Sequence, residues 1–297
     1  MLKSENNTHI VGIDIGGTNV KIGALGTNGE ISDVLLLDMV PGEPEFIIDK
    51  IAKAAKELNP DFIGVGTAGA VNYKTGLVEA GNLRWRDVPL RAALAEKTQR
   101  PVWVDNDAKA ALMAEWHSGA CKGARCAVCV TIGTGLGGAL LIDGRPWRGD
   151  DNTAFELGHI ITNAKEYKSG TIEGHLEYYV SGNALARMSG KSAREVVDGV
   201  ISGDEKSRRV FDALIHELGI GLISVIRLFK PEIIVLGGGI CKTGEYLLSG
   251  IRNKMAELLP WDEESGYAGE KIRLAVHQND AGMIGAAVLA KMYLADN

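Results

Sequence analysis

The chain has 297 residues, 45% hydrophobic, 24% charged and 6% aromatic, an ordinary globular composition with material for one large core or two medium ones. Its formal net charge of -6 and pI near 5.6 argue against a nucleic-acid or anionic-membrane partner, which would want a basic face. No apolar run approaches the roughly 20 residues that span a bilayer, and the polar start MLKSENNTH lacks the apolar core of a secretory signal, so a cytoplasmic protein is expected.

The first element is HIVGIDIGGTNVKIGALGTNGEI, an apolar strand, a Gly-Gly-Thr turn and a returning strand closed by Asn28-Gly29. A helix follows at about Glu45 to Leu58, a strand at Phe62 to Gly66 and another ending at Asp105, before the helix-forming AKAALMAEW. CAVCVTIGTGLGGALLIDGRPW then echoes the opening: strand, Gly-Thr-Gly turn, strand, and a turn at Asp143-Gly144. Asn-Gly and Asp-Gly are favoured hairpin turns. The strand–helix alternation points to α/β architecture and the echo to two related lobes.

Ala154 to Ile161 leads into a polar loop, NAKEYKSGTIEG, and then into helical stretches: LEYYVSGNALARM, SAREVVDGVISG and RRVFDALIHELGIGLISVIRLF. Lys230-Pro231 ends the last of these, because proline cannot continue a helix and disfavours helical geometry before it. EIIVLGGGI reads as a buried parallel strand, and NDAGMIGAAVLAKMYL as a small-residue helix packed closely on a neighbour.

Cys121, Cys126 and Cys129 have the C-x4-C-x2-C spacing of a plant-type ferredoxin, with Cys241 available as a fourth ligand. Cys126 and Cys129 fall in a buried-strand pattern, where residues three apart face opposite sides. Reduced structural cysteines are the expectation.

Two hairpin tips without side chains, Asp14-Ile15-Gly16-Gly17-Thr18 and Thr131-Ile132-Gly133-Thr134-Gly135, offer backbone N–H groups and a threonine hydroxyl suited to phosphate oxygens. Leu236-Gly237-Gly238-Gly239 adds a third glycine run after a strand. None is a P-loop, which needs Gly-Lys-Ser/Thr, or a dinucleotide fingerprint opening a helix. Asp14 can hold the waters around a Mg²⁺ or fix the turn by local hydrogen bonds, and the metal role is the expectation. In VWVDNDAKA, Asp105 and Asp107 face the same way if the segment is extended, so periodicity does not choose between them. The plain reading of Asp107 is an N-cap for the helix at Ala108.

DIGGT, NDA after a strand, TIGTGLGG, ELGH, LGGG and NDAGMIGAA occur in an order that resembles the ROK family of sugar kinases and repressors, from Gly12 to about Leu289. NLRWRDVPL further resembles the glucokinase branch. The resemblance implies an actin-like ATPase (ribonuclease H-like) fold, duplicated, with residues 1–105 plus 282–297 as a smaller domain, 106–281 as a larger one, and a cleft between. It implies ATP-dependent phosphorylation of a hexose, glucose to glucose 6-phosphate, with Asp107 as general base. Gly69, Asn82, Asn106, Glu156, His159 and Glu177 would contact the sugar. Asp14 with Mg²⁺, Gly16, Gly17, Thr18, Thr134 and Gly135 would serve the phosphates, and Gly237, Gly238 and Gly239 the adenosine. Closure of the cleft would exclude water, and the family suggests a homodimer. Repressors of the family carry an N-terminal DNA-binding domain; about nine residues precede the first strand here, which favours a kinase.

Many ROK kinases carry a structural zinc held by the ELGH histidine and three cysteines. This chain reads KSGTIEGHLE there, with Lys168, Gly170 and His175 at the cysteine positions. His159 and His175 fall short of four ligands, so no zinc is expected, and other contacts, such as Tyr178 and Tyr179, would fix the loop. Zinc-less relatives leave an N-acetylmannosamine or β-glucoside kinase, or a non-catalytic sugar-binding regulator, as alternatives. The hexose-contact set speaks against a more distant superfamily member such as an acetate kinase.

Overall fold

The computed structural model describes residues 8–26, 30–258 and 271–296. The chain divides into two compact units, Met1–Gly123 with Pro146–Ala154 and Asn279–Asn297, and Ala124–Arg145 with Phe155–Gln278. The Asn28-Gly29 turn lies outside the described residues.

In the first unit β1 (Ile10–Ile15) pairs antiparallel with β2 (Asn19–Leu25), and β2 with β3 (Ile31–Asp38). α1 (Pro44–Glu57) buries Ile47, Ile48, Ile51, Ala54 and Ala55, one face at helical spacing. β4 (Phe62–Thr67) runs parallel to β1. A small antiparallel sheet follows, β5 (Ala70–Val71), β6 (Val78–Ala80) and β7 (Trp85–Val88). After α2 (Leu90–Thr98), β8 (Val102–Asn106) lies parallel to β4 and leads directly into α3 (Asp107–Ser118). The main sheet has the order β3-β2-β1-β4-β8.

The second unit repeats this plan. β9 (Cys126–Ile132) pairs antiparallel with β10 (Leu136–Ile142). Asp143 and Gly144 both have positive φ, 50° and 76°, as a type I′ hairpin turn requires, and β11 (Arg145–Pro146) follows. Next come α4 (Leu176–Tyr179), α5 (Gly182–Ser189), α6 (Ala193–Ser202) and α7 (Glu205–Phe229). β12 (Ile233–Gly237) is parallel to β9, and after α8 (Glu245–Leu258) β13 (Ile272–Leu274) is parallel to β12. The sheet order β11-β10-β9-β12-β13 matches the first unit's strand for strand, so the echo between the two glycine hairpins is a structural duplication.

LEYYVSGNALARM is two helices rather than one. Ser181 is extended, and its Oγ accepts the Ala184 N–H at 3.0 Å, capping α5 after α4 has stopped at Tyr179. α7 ends at Lys230, which takes a left-handed φ of 42° before Pro231. Cys126 and Cys129 lie on β9, and none of the four cysteines, all among the described residues, is in a disulfide.

The last helix, α9 (Ala281–Asp296), returns to the first unit. A Cβ on Gly12 would meet the Met283 carbonyl at 2.1 Å, one on Gly64 the Ala286 carbonyl at 2.0 Å, and one on Gly285 the Ala110 carbonyl of α3 at 1.6 Å. Backbone therefore rests on backbone, which is what the small-residue pattern serves. This contact moves the unit boundary. α3 packs with α9, so the first unit runs through Gly123 rather than stopping at Asp105, and it also takes in Pro146–Ala154. Among the described residues no helix is long and apolar enough to cross a membrane.

Candidate active site

Asp105 and Asp107 part company because the chain changes from strand to helix between them. β8 ends at Asn106, and α3 begins at Asp107, so strand alternation no longer aligns the two carboxylates. Asp105 is fully buried. One of its oxygens pairs with Arg148 at 2.5 Å; the other accepts from Asn152 Nδ2 at 3.1 Å and from the Asn106 N–H at 2.9 Å. Lys109, 1% exposed, adds a bond from Nζ to the Asn152 carbonyl at 2.9 Å. Asp105 is thereby occupied in holding segment 146–154 onto the first unit.

The helix cap is Asn106 rather than Asp107. Asn106 Oδ1 accepts the N–H groups of Ala108 and Lys109 at 3.0 and 3.3 Å, and Nδ2 donates to the Gly69 carbonyl at 3.2 Å. A second Nδ2 hydrogen remains, since an amide nitrogen carries two. Gly69 takes φ +93°, with the Glu79 carbonyl 2.3 Å from where a Cβ would stand, so it must be glycine to present that carbonyl. Asp107 is half-buried in the first turn, where its Oδ1 accepts the Ala108 N–H at 2.8 Å.

At the first hairpin the Gly16 N–H donates to the Asn19 carbonyl at 3.0 Å, leaving Gly17 and Thr18 exposed at the tip. The Asn82 amide nitrogen lies 3.5 Å from the Cβ position of Gly17, which brings the NLRW segment to this tip. Asp14 sits beneath, against Gly282 in the first turn of α9. Burial pushes its carboxyl up to about 6; Lys21 pulls it down and Asp280 pushes it up.

In the second unit the hairpin tip is tied from behind. The carbonyls of Gly133 and Thr134 accept the N–H groups of Gly182 and Asn183 at 2.7 and 3.1 Å, at the start of α5. In a trans peptide the C=O and the following N–H point in opposite directions, so the N–H groups of Thr134 and Gly135 face away from α5. Beside them opens a pocket of about 660 Å³, lined among others by Thr134, Asn183, Arg194, Asp198, Gly239 and Lys242. Of the third glycine run only Gly239 lines it. Gly237 belongs to β12, and Gly238, at φ +96°, lies where a Cβ would be 2.4 Å from the Ile132 carbonyl. The sequence reading missed the α6 residues of this pocket. The capping box of Ser192 and Glu195 marks where α6 starts, but no local signal puts that start at the pocket.

Glu156 and His159 are exposed at either end of a single 3-10 turn over buried Leu157 and Gly158. The loop after them closes without metal ligands. Ile161 bridges to His175, and the Thr162 N–H donates to the Gly174 carbonyl at 3.0 Å. The His175 ring meets His159 and Tyr167 edge-on at 5.9 and 5.4 Å. Tyr179 donates to Glu166 at 2.6 Å, and burial pushes its hydroxyl up to about 12. Tyr178 instead packs under Arg187, 3.6 Å from its ring centre. Among the described residues no three His, Cys, Asp or Glu converge as a metal site. Glu177, on α4, turns one oxygen to the Leu136 N–H at 2.8 Å.

Residues 10–293 match the ROK family. A glucokinase of Streptomyces coelicolor is 33% identical over 95% of this chain and 97% of its own. A beta-glucoside kinase of Listeria innocua is 29% identical over 93% and 95%. The crystal structure of a ROK family glucokinase from Streptomyces griseus, in complex with glucose and AMPPNP, superposes with a TM-score of 0.84 at 30% identity, covering 96% of this chain and 99% of that one. The duplicated sheets are those of the actin-like ATPase fold of the ROK kinases. With its paired glycine hairpins and its family match along nearly the whole length, the chain belongs to the ROK family and has the architecture of that family's sugar kinases.

Proposed function

We propose that this chain is an ATP-dependent hexokinase that phosphorylates the 6-hydroxyl of an aldohexose, glucose first, with Asp107 as general base. The observation that carries this reading is the separate use of the two carboxylates: Asp105 is consumed by Arg148 and Asn152, while Asp107 stands in the first turn of α3 beside Asn106. In the reaction the sugar oxygen bonds to the γ-phosphorus as the bond to the bridging oxygen breaks. ADP departs, and Asp107 takes the hydroxyl proton. Asn106 and Asn82 orient sugar hydroxyls, as do Glu156, His159 and the free oxygen of Glu177. The N–H groups at the two hairpin tips, with the hydroxyls of Thr18 and Thr134, hold phosphates.

Magnesium, when bound with the nucleotide, offsets phosphate charge, and Asp14 fits as its anchor. It is a buried carboxylate at the foot of the first glycine hairpin. A raised carboxyl pKa stabilises the unliganded unit below the ordinary value of 3.8, and that contribution is lost as the pH rises through about 6. Cation binding needs the ionised form, so KM for the magnesium nucleotide should climb as the pH falls below about 6. Asp14→Asn should raise KM at neutral pH and flatten this dependence in steady-state kinetics. A wild-type KM that ignores pH across that range would remove Asp14 from the cation site.

The substrate is tested by ADP release from Mg·ATP with glucose, mannose, allose, N-acetylmannosamine, N-acetylglucosamine and cellobiose. Turnover on glucose well above the rest is expected. A preference for cellobiose would favour the second reading, a β-glucoside kinase, which the Listeria innocua relative supports; N-acetylmannosamine would likewise replace the substrate and keep the chemistry. Silence on every sugar, with polyphosphate also tried as donor, would point to a sugar-binding regulator.

A further inference from the structure

We propose that Glu177 is a positioning residue for the second glycine hairpin, setting its grip on the nucleotide through the Leu136 N–H, in addition to meeting sugar. The inference rests on the kinase reading above. Around the tip the hydrogen bonds fall in a definite pattern. The carbonyls of Gly133 and Thr134 are taken by α5, the Gly135 carbonyl by the Gly133 N–H at 3.0 Å, and the Leu136 N–H by Glu177 Oε2 at 2.8 Å. With both flanks of the turn claimed, the N–H groups of Thr134 and Gly135 are held in one orientation.

Glu177 is 41 residues from Leu136 in sequence, and its carboxylate is held on a fixed support. The Leu176 N–H donates to the Ile160 carbonyl at 2.9 Å, the Ser181 hydroxyl donates to the Glu177 carbonyl at 2.9 Å, and the Leu176 side chain is fully buried against Gly221 of α7. Two glycines form the slot for the carboxylate. A Cβ on Gly135 would stand 2.6 Å from Oε2, and one on Gly158 3.3 Å from it. Gly135 thus has a second reason to lack a side chain: it admits the carboxylate as well as the phosphate. The hairpin's own N–H poses Glu177, and the same bond orders the hairpin.

The test combines kinetics with amide hydrogen exchange. Glu177→Ala should raise KM for Mg·ATP at saturating sugar by about tenfold or more, the scale of losing a hydrogen bond to a charged acceptor, and should speed exchange at the Leu136 amide. Glu177→Gln keeps an acceptor oxygen; it should restore the Leu136 protection and most of the nucleotide KM while the sugar KM stays raised. Recovery of both readouts in Glu177→Gln guards against misfolding as the cause in Glu177→Ala. A Glu177→Ala variant with wild-type nucleotide KM and wild-type Leu136 exchange, defective only toward sugar, would overturn the inference. If the wild type turns over no sugar at all, the kinase reading falls, and Leu136 exchange in the variants still decides whether Glu177 holds the hairpin.

Discussion

Asp107→Asn is expected to lower kcat by roughly 10²- to 10⁴-fold, the usual contribution of a positioned general base, while calorimetry finds sugar affinity little changed. Asparagine keeps the size and hydrogen-bonding reach of the side chain but cannot accept a proton at neutral pH. Its Oδ1 can still accept the Ala108 N–H that Asp107 accepts at 2.8 Å, so the first turn of α3 should hold and the loss should fall on chemistry. Asn106 caps the helix independently, which is why the variant should melt close to the wild type. Near-normal turnover would remove Asp107 from its role.

Asp105→Ala should show the reverse signature, a loss of about 3–5 kcal/mol in stability of the first unit, the range for breaking a buried ion pair by removing one partner. Arg148 would lose its carboxylate, Asn152 Nδ2 one of its two acceptors (the Val71 carbonyl remains), and the Asn106 N–H its bond, all at a position with no solvent exposure. Trp85, Trp103, Trp116 and Trp147 all lie in this unit, so urea unfolding followed by tryptophan fluorescence reads the effect. At a temperature where the variant is folded, kcat should fall far less than in Asp107→Asn. An Asp105 variant that is stable but inactive would exchange the roles assigned to the two residues.

The glycine hairpins, their echo, the strand before Asn106 and the close-packed last helix were all legible in the sequence. Each depends on short-range chemistry: turn residues that tolerate positive φ, period-2 and helical apolar spacing, and small side chains where backbone meets backbone. The start of α6 is legible from its capping box, but nothing local places it beside the second hairpin or says that α5 donates to the Gly133 and Thr134 carbonyls. The break at Ser181 is carried by a lone serine cap before Gly182-Asn183, a weak local signal between two helix-forming stretches.

The sequence by itself determined the family architecture, the two glycine hairpins and the candidate acids, because those features lie in contiguous residues. Only the tertiary structure decided which carboxylate is spent on packing, that Asn106 rather than Asp107 caps α3, that α3 belongs with α9, and that Glu177 reaches the Leu136 N–H. Those outcomes depend on partners 41 to 47 residues away for the carboxylates. Burial and hydrogen-bond competition among residues so distant in the chain leave no period or spacing in the sequence from which to read them.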